Sequence, residues 1–163
     1  MRLFSIIAAA VVFMCALSFC EFGKINSIFG IDVRSAEVIS DTDTHGWLGD
    51  GERFLALKFS SADAEEKISE SPDWRPLPAS EGVIAAVWGI EYEKDGEKFG
   101  VGPFTSAKIP RVENGWYCYF DRSPEGHALG GDPRSDGFTP PLNFTFAVYD
   151  SDEDILYYVE SDS

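Results

Sequence analysis

The chain has 163 residues, of which 28 are acidic and 13 basic, and its formal net charge at pH 7 is −15. Such an acidic surface repels phosphate backbones and anionic lipid headgroups, which excludes nucleic acid as a partner and membrane docking through basic residues. Two of the cysteines, Cys15 and Cys20, lie in the apolar N-terminal segment. Cys118 is the only cysteine in the remainder, so a disulfide framework is also excluded.

Residues 1–20 are predicted to direct export. Arg2 supplies a positive charge, and Leu3 to Phe19 form an uncharged, apolar run. A cation followed by an apolar run is how secretory signals are built. The run falls just short of the roughly 18 to 20 residues that span a bilayer as a helix. The segment is therefore a signal or membrane-anchor helix, and the membrane is a predicted partner through residues 3–19.

Three fates of this segment stay open. An uncleaved anchor would leave Glu21 as the first charge beyond the membrane. A lipoprotein signal would end in a small residue before a cysteine, so Cys20 is a candidate for lipidation, although bulky Phe19 precedes it. A cleaved signal peptide would need an Ala-x-Ala-like site, which Ala16 and Ser18 supply poorly. The predicted location is the cell membrane, with the domain on the extracytoplasmic side, and secretion is the alternative.

Residues 21–30 are predicted to form a connector, which either packs on the domain or lies at the membrane interface. Residues 31–163 are predicted to form a single extracytoplasmic, β-rich domain, because about 140 residues can bury a core of their own. The first strand signals are Ile31 to Ser40 and Arg53 to Phe59.

Two short helices are predicted after the second strand. Ser60 and Ser61 precede a group of acidic residues, which favours the start of a helix there. The proline-rich stretch Asp73 to Pro78 then predicts a stiff, extended connector. Ser80 is the expected cap of the second helix, and Gly89 follows its end.

The remaining chain is predicted to be mostly β. The strand candidates are Ile90 to Tyr92, Phe99 to Phe104, Trp116 to Phe120, Leu142 to Tyr149 and Ile155 to Glu160. Aromatic and β-branched residues crowd the last two, which are predicted to form a hairpin. The predicted fold class is α+β: a mainly antiparallel β domain with one or two short helices after the second strand, plus the N-terminal apolar helix.

A calcium loop is one interpretation of the stretch between the first two strands. Asp41, Asp43 and Glu52 match ligand positions 1, 3 and 12 of a twelve-residue loop, and Gly46 matches its obligatory turn. His45 stands where an oxygen ligand is expected, and the flanks indicate strands where helices are required. A hairpin loop whose aspartates bond nearby amides is the favoured interpretation. Calcium is the one cofactor that the sequence leaves open.

The sequence contains no catalytic signature. Cys118 lies in an aromatic strand pattern, which is typical of a small buried residue and not of a reactive thiolate. Gly-x-Ser-x-Gly and His-Glu-x-x-His motifs are absent, and His45 and His127 are the only histidines. Paired carboxylates for hydrolysis stay open, because 28 acidic residues allow many pairings.

Three stretches resemble a group of short exported or membrane-anchored proteins of Gram-positive, gut-type bacteria that have no known activity. The stretches are Asp43 to Phe54, Trp74 to Pro78 and Asn143 to Tyr158. The resemblance implies export and a single domain, and it carries no catalytic residue.

The leading hypothesis is a non-enzymatic, membrane-tethered or secreted protein with a binding or envelope-structural role. Its predicted contact surface is the loop that holds Trp47 among glycines, together with the long loop through His127. The alternative is a carboxylate-based envelope hydrolase, with or without calcium.

Overall fold

A computed structural model describes residues 23, 25–27, 30–47, 49–60, 63–122, 132–135, 138 and 141–163. The predicted N-terminal helix, Cys20 and His127 lie outside the described residues. Within the described ranges, no helix has the length and apolar character needed to cross a membrane.

Antiparallel pairing of strands organises the protein. The strands are β1 (Glu37–Asp43), β2 (Gly51–Lys58), β3 (Arg75–Pro76), β4 (Ile90–Lys94), β5 (Glu97–Val101), β6 (Gly115–Asp121), β7 (Phe144–Asp150) and β8 (Ile155–Asp162). A six-stranded sheet has the order β1-β2-β8-β7-β6-β3, and β4 and β5 form a separate two-stranded hairpin. All pairings are antiparallel, which confirms the predicted mainly antiparallel β fold.

Two short α-helices follow the second strand, α1 (Asp63–Glu70) directly and α2 (Glu81–Trp88) after β3. The Ser80 side chain accepts a hydrogen bond from the Val83 N–H, as a helix cap does. Gly89 ends α2 with a φ of 74°, a conformation that costs glycine little. Both predicted ends of α2 are confirmed.

Successive side chains along a strand point to opposite sides of the sheet, so the six-stranded sheet has two faces. Each face packs against one α-helix. The first face packs against α1, and its core consists of Ile25, Ile31, Val33, Leu55, Leu57, Phe59, Ala64, Ile68, Trp74, Cys118, Ala147, Tyr149, Leu156 and Tyr158. The second face packs against α2, and its core consists of Ala79, Val83, Ala86, Val87, Ile109, Tyr117, Phe144, Phe146, Val148 and Val159. The central strand β7 is therefore buried on both sides.

The first strand begins later than predicted, at Glu37 and not at Ile31. The Asp32 side chain accepts a hydrogen bond from the Arg34 N–H and caps a 3-10 turn over Val33–Ser35. This side-chain hydrogen bond favours a turn over extended backbone at these residues. The apolar residues from Ile31 onward, on which the strand prediction depends, do not indicate such a turn.

Two other segments contribute to the sheet or to its core. The proline-rich connector contains β3, which pairs with β6 through Arg75 and Pro76. Ile25, from the predicted connector at residues 21–30, is 2% exposed and belongs to the first-face core. Cys118 is buried as predicted, and burial raises the pKa of its thiol to about 12.

Candidate functional site

The loop between β1 and β2 is a closed structure held by main-chain hydrogen bonds. The Thr44 N–H donates to the Glu52 carbonyl at 2.8 Å, and the Gly46 N–H donates to the Asp50 carbonyl at 2.9 Å. A third bond, 3.0 Å long, joins the Gly49 N–H to the Gly46 carbonyl. The predicted structural hairpin loop is therefore present.

Trp47 stands at the tip of this hairpin. Its relative exposure is 94%, the largest among the exposed large apolar residues in the described part of the chain. The sequence predicts it as a contact residue, and the structure places it where a partner can reach the whole indole ring.

His45 joins the hairpin to the last strand of the sheet. Its Nδ1 lies 2.7 Å from Asp43 Oδ1, and its Nε2 lies 3.2 Å from Asp162 Oδ2 on β8. The His45 N–H also donates to Asp43 Oδ1 at 2.9 Å. Both ring nitrogens therefore face carboxylates, and the imidazole links residues that are far apart in the chain.

Two arginines on the first face form ion pairs with the aspartates that contact His45. Arg53 on β2 lies 3.2 Å from Asp41 Oδ2 and 3.8 Å from Asp43 Oδ2. Arg122, just after β6, lies 2.8 Å from Asp162 Oδ1 and 3.1 Å from Glu160 Oε1. We call the whole group the charged cluster; it consists of Asp41, Asp43, His45, Arg53, Arg122, Tyr158, Glu160 and Asp162.

Glu160 is the most deeply placed carboxylate of the charged cluster, with a residue exposure of 6%. The Tyr158 hydroxyl donates to its Oε2 at 2.7 Å. Arg122 Nη2 donates to the carbonyls of Phe144 and Ser161, at 3.1 and 3.0 Å. The carboxylates face cations or a hydroxyl donor, which favours a structural role over acid–base chemistry.

The three residues of the predicted calcium loop do not converge. Asp41 and Asp43 belong to β1 and point to the first face, where they meet Arg53. Glu52 points to the second face, and its two carboxylate oxygens each accept from the Ser106 N–H at 2.9 Å. No group of three metal-ligating side chains occurs among the described residues. Calcium binding stays a prediction.

A cleft of about 360 Å³ lies on the second face of the hairpin. It is lined by Ser40, Thr42, Thr44, Glu52, Phe54, Ser106, Ala107 and Lys108. We call it the hydroxyl cleft, because β1 and the segment after β5 line it with serine and threonine side chains.

Comparison of the chain with protein-family models, curated proteins and solved structures finds no significant match. The residues of the hairpin and of its two faces therefore provide the basis for a proposed function.

Neither the charged cluster nor the hydroxyl cleft is predicted from the sequence. The available signal for the cluster is Glu160, a charge within an otherwise apolar strand pattern. The signal for the cleft is the alternation Ser40, Thr42, Thr44, since residues two apart on a strand share a face.

The His45 contacts predict a pH-dependent stability. Burial alone lowers the pKa of His45, but hydrogen bonds to Asp43 and Asp162 and their charges outweigh it, so the pKa is raised above 6.5. The stabilisation is complete below that ordinary value and is lost as the pH rises through the folded-state pKa.

We therefore expect the thermal midpoint of the wild type to exceed that of His45→Gln most at about pH 6, with the difference shrinking toward about pH 9. Thermal unfolding of both proteins across this range measures the effect. The two proteins share all other titrating groups, so their effects on the thermal midpoint cancel in the comparison. A difference in thermal midpoint that does not change with pH would contradict ion pairs between protonated His45 and the two aspartates.

Proposed function

We propose that the chain is a non-enzymatic, membrane-tethered or secreted protein whose acidic domain binds an envelope or extracellular partner through Trp47. The observation that carries this proposal is the 94% exposure of Trp47 at the tip of a hydrogen-bonded hairpin. The acidic composition argues against a nucleic-acid partner.

Almost the whole apolar surface of Trp47 is available for burial against a partner. An aromatic side chain buries roughly 150 to 250 Å², and each Å² of apolar surface is worth about 25 cal/mol. Complete burial of the indole against a partner would therefore contribute about 4 to 6 kcal/mol before entropic costs. Tryptophan is enriched among the residues that dominate binding energy at interfaces.

The hairpin presents Trp47 in a preorganised form. Main-chain hydrogen bonds close the loop, and His45 ties its base to Asp162 on β8. A loop that is ordered before binding loses less conformational entropy when the partner arrives. This support distinguishes Trp47 from an apolar residue on an unsupported chain end.

The proposed tether is the apolar run at residues 3–19, with lipidation of Cys20 or secretion as alternatives. Its support is the sequence pattern alone. Mass spectrometry of the native N-terminus distinguishes a retained, a lipidated and a cleaved segment. The long loop through His127 remains part of the proposed contact surface.

The Trp47→Ala variant tests the contact. We expect at least a tenfold loss of affinity for cell envelopes isolated from the producing organism, corresponding to about 1.4 kcal/mol or more. The full chain, kept soluble in mild detergent, is co-sedimented with envelope material from which the same detergent has first extracted the membranes, so that the apolar run at residues 3–19 cannot hold the chain in the pellet. The bound fraction is measured over a range of envelope concentrations.

Leu142→Ala is the matched control, because Leu142 is also an exposed apolar residue, at 63%, and lies outside the hairpin. Its affinity should equal that of the wild type. Equal retention of Trp47→Ala and wild type, with both correctly folded by circular dichroism, would reject the hairpin as the contact.

A further inference from the structure

The hydroxyl cleft has a regular polar wall. Ser40 and Thr42 occupy alternate positions on β1 opposite Ala56 and Phe54, so their side chains share the second face. Thr44 continues the row, and its Oγ1 donates to the Glu52 carbonyl at 3.1 Å while accepting from the Glu52 N–H at 2.9 Å. The row is thus anchored at the hairpin end.

The opposite wall comes from the segment after β5. The Ser106 N–H and hydroxyl both donate to the Glu52 carboxylate, which ties this segment to the hairpin. Lys108 lies on the same wall and is exposed. The cleft therefore has fixed walls on two sides.

The cleft is lined by hydroxyl groups and by one charged side chain of each sign. Among the described lining residues, Glu52 is the one carboxylate and Lys108 the one ammonium group, so their charges cancel, although the protein carries −15. Half-buried Phe54 supplies an apolar surface beside the hydroxyls. A ligand with several charges of one sign would meet a single counter-charge among these residues.

We propose that the hydroxyl cleft binds a neutral saccharide. A sugar hydroxyl both donates and accepts hydrogen bonds, as do the hydroxyls of Ser40 and Thr42, so the two arrays can pair in either direction. The apolar C–H face of a sugar ring can pack on Phe54. This inference rests on the proposed function, since it names the kind of partner that the hairpin meets.

The volume limits the size of the ligand. A cleft of about 360 Å³ is at the lower end of small-molecule sites. It suits a ligand of about one or two sugar rings, or the same portion of a longer glycan. Trp47 lies three residues beyond Thr44, on the same hairpin, so a longer glycan or its carrier could also contact the tip.

The test titrates the full chain with maltose, cellobiose and N,N′-diacetylchitobiose, in a zwitterionic detergent without a sugar headgroup. Glucuronate and glucosamine serve as charged probes, and glucose is the neutral ligand of the same size. We expect at least one neutral disaccharide to bind with a millimolar dissociation constant and to shift the amide resonances of Ser40, Thr42 and Ser106. The charged probes should bind more weakly than glucose.

The decisive variant is Thr42→Val, which removes one hydroxyl at nearly constant volume and should weaken binding about 3- to 10-fold. The control is Thr145→Val on the first face. Thr145 is 1% exposed, and its hydroxyl has no hydrogen-bond partner among the described residues. The control should bind like the wild type.

Absence of any shift in the cleft with all three disaccharides, or equal affinity of Thr42→Val and wild type, would overturn the saccharide inference. Tighter binding of a charged probe would overturn it in favour of another ligand class. Trp47→Ala separates the two proposals. If Trp47→Ala loses envelope binding but the wild type binds no saccharide, only the cleft proposal is rejected. If the wild type binds a saccharide but Trp47→Ala keeps its full affinity for envelopes, only the Trp47 contact is rejected.

Discussion

Replacing Arg122 by methionine is expected to lower the free energy of unfolding by about 3 kcal/mol. The substitution removes the contacts of Arg122 with Glu160 and Asp162, and two hydrogen bonds to main-chain carbonyls. Glu160 is 6% exposed, so its charge would lose a cation in a place that water hardly reaches. A domain of this size typically has about 5 to 15 kcal/mol of total stability, so the loss is large.

Urea unfolding of wild type and Arg122→Met measures this loss. Arg34→Met is the control, because Arg34 makes an ion pair with Asp32 in which both side chains are exposed, at 61% and 46%. Exposed ion pairs contribute little to stability, so its urea midpoint should stay close to that of the wild type.

A double variant identifies the cause of the Arg122 effect. If the uncompensated charge of Glu160 dominates, Glu160→Gln should restore part of the stability lost in Arg122→Met, about 1 kcal/mol or more. Strictly additive losses in the double variant would instead assign the effect to packing and to the main-chain hydrogen bonds.

Replacing Phe146 by alanine is expected to cost about 4 kcal/mol. Phe146 is 0% exposed on the central strand β7, and its ring meets Trp88 of α2 edge-on, with ring centroids 5.5 Å apart. The variant loses burial of the ring and leaves a cavity between the sheet and α2. At about 3 °C per kcal/mol, the thermal midpoint should fall by about 12 °C.

Phe99→Ala is the matched control for this change. Phe99 lies on β5, is 40% exposed and stacks on Tyr92 with ring centroids 5.5 Å apart. It should cost about 1 to 2 kcal/mol, clearly less than Phe146→Ala, because part of the ring is already in water. Similar losses in the two variants would contradict the placement of α2 on a core distinct from the β4–β5 hairpin.

The elements with local signals could be predicted from the sequence. Ser80 and Gly89 indicate the ends of α2 through capping chemistry that involves only their neighbours. The last hairpin was also predicted, although β8 extends beyond Glu160 to Asp162. Its apolar and aromatic residues suit a strand that is covered on both faces, where alternation between polar and apolar residues is weak.

The site could be predicted only where it depends on local residues. Trp47 among glycines indicates an exposed tip without knowledge of the fold. The contact between Arg122 and Glu160 depends on the position of β8 between β2 and β7. The order of strands in a sheet cannot be predicted from local residue patterns. The far wall of the hydroxyl cleft, with Ser106, comes from a segment without regular secondary structure.

The order of the strands also has a consequence for when the protein can fold. β8 is the last strand in sequence, yet it joins the β1–β2 pair to β7 in the middle of the sheet. Contacts between segments so far apart in sequence form slowly. The β1–β2 pair and the β6–β7 pair therefore cannot join into one sheet until β8 has been synthesised and has paired with both β2 and β7.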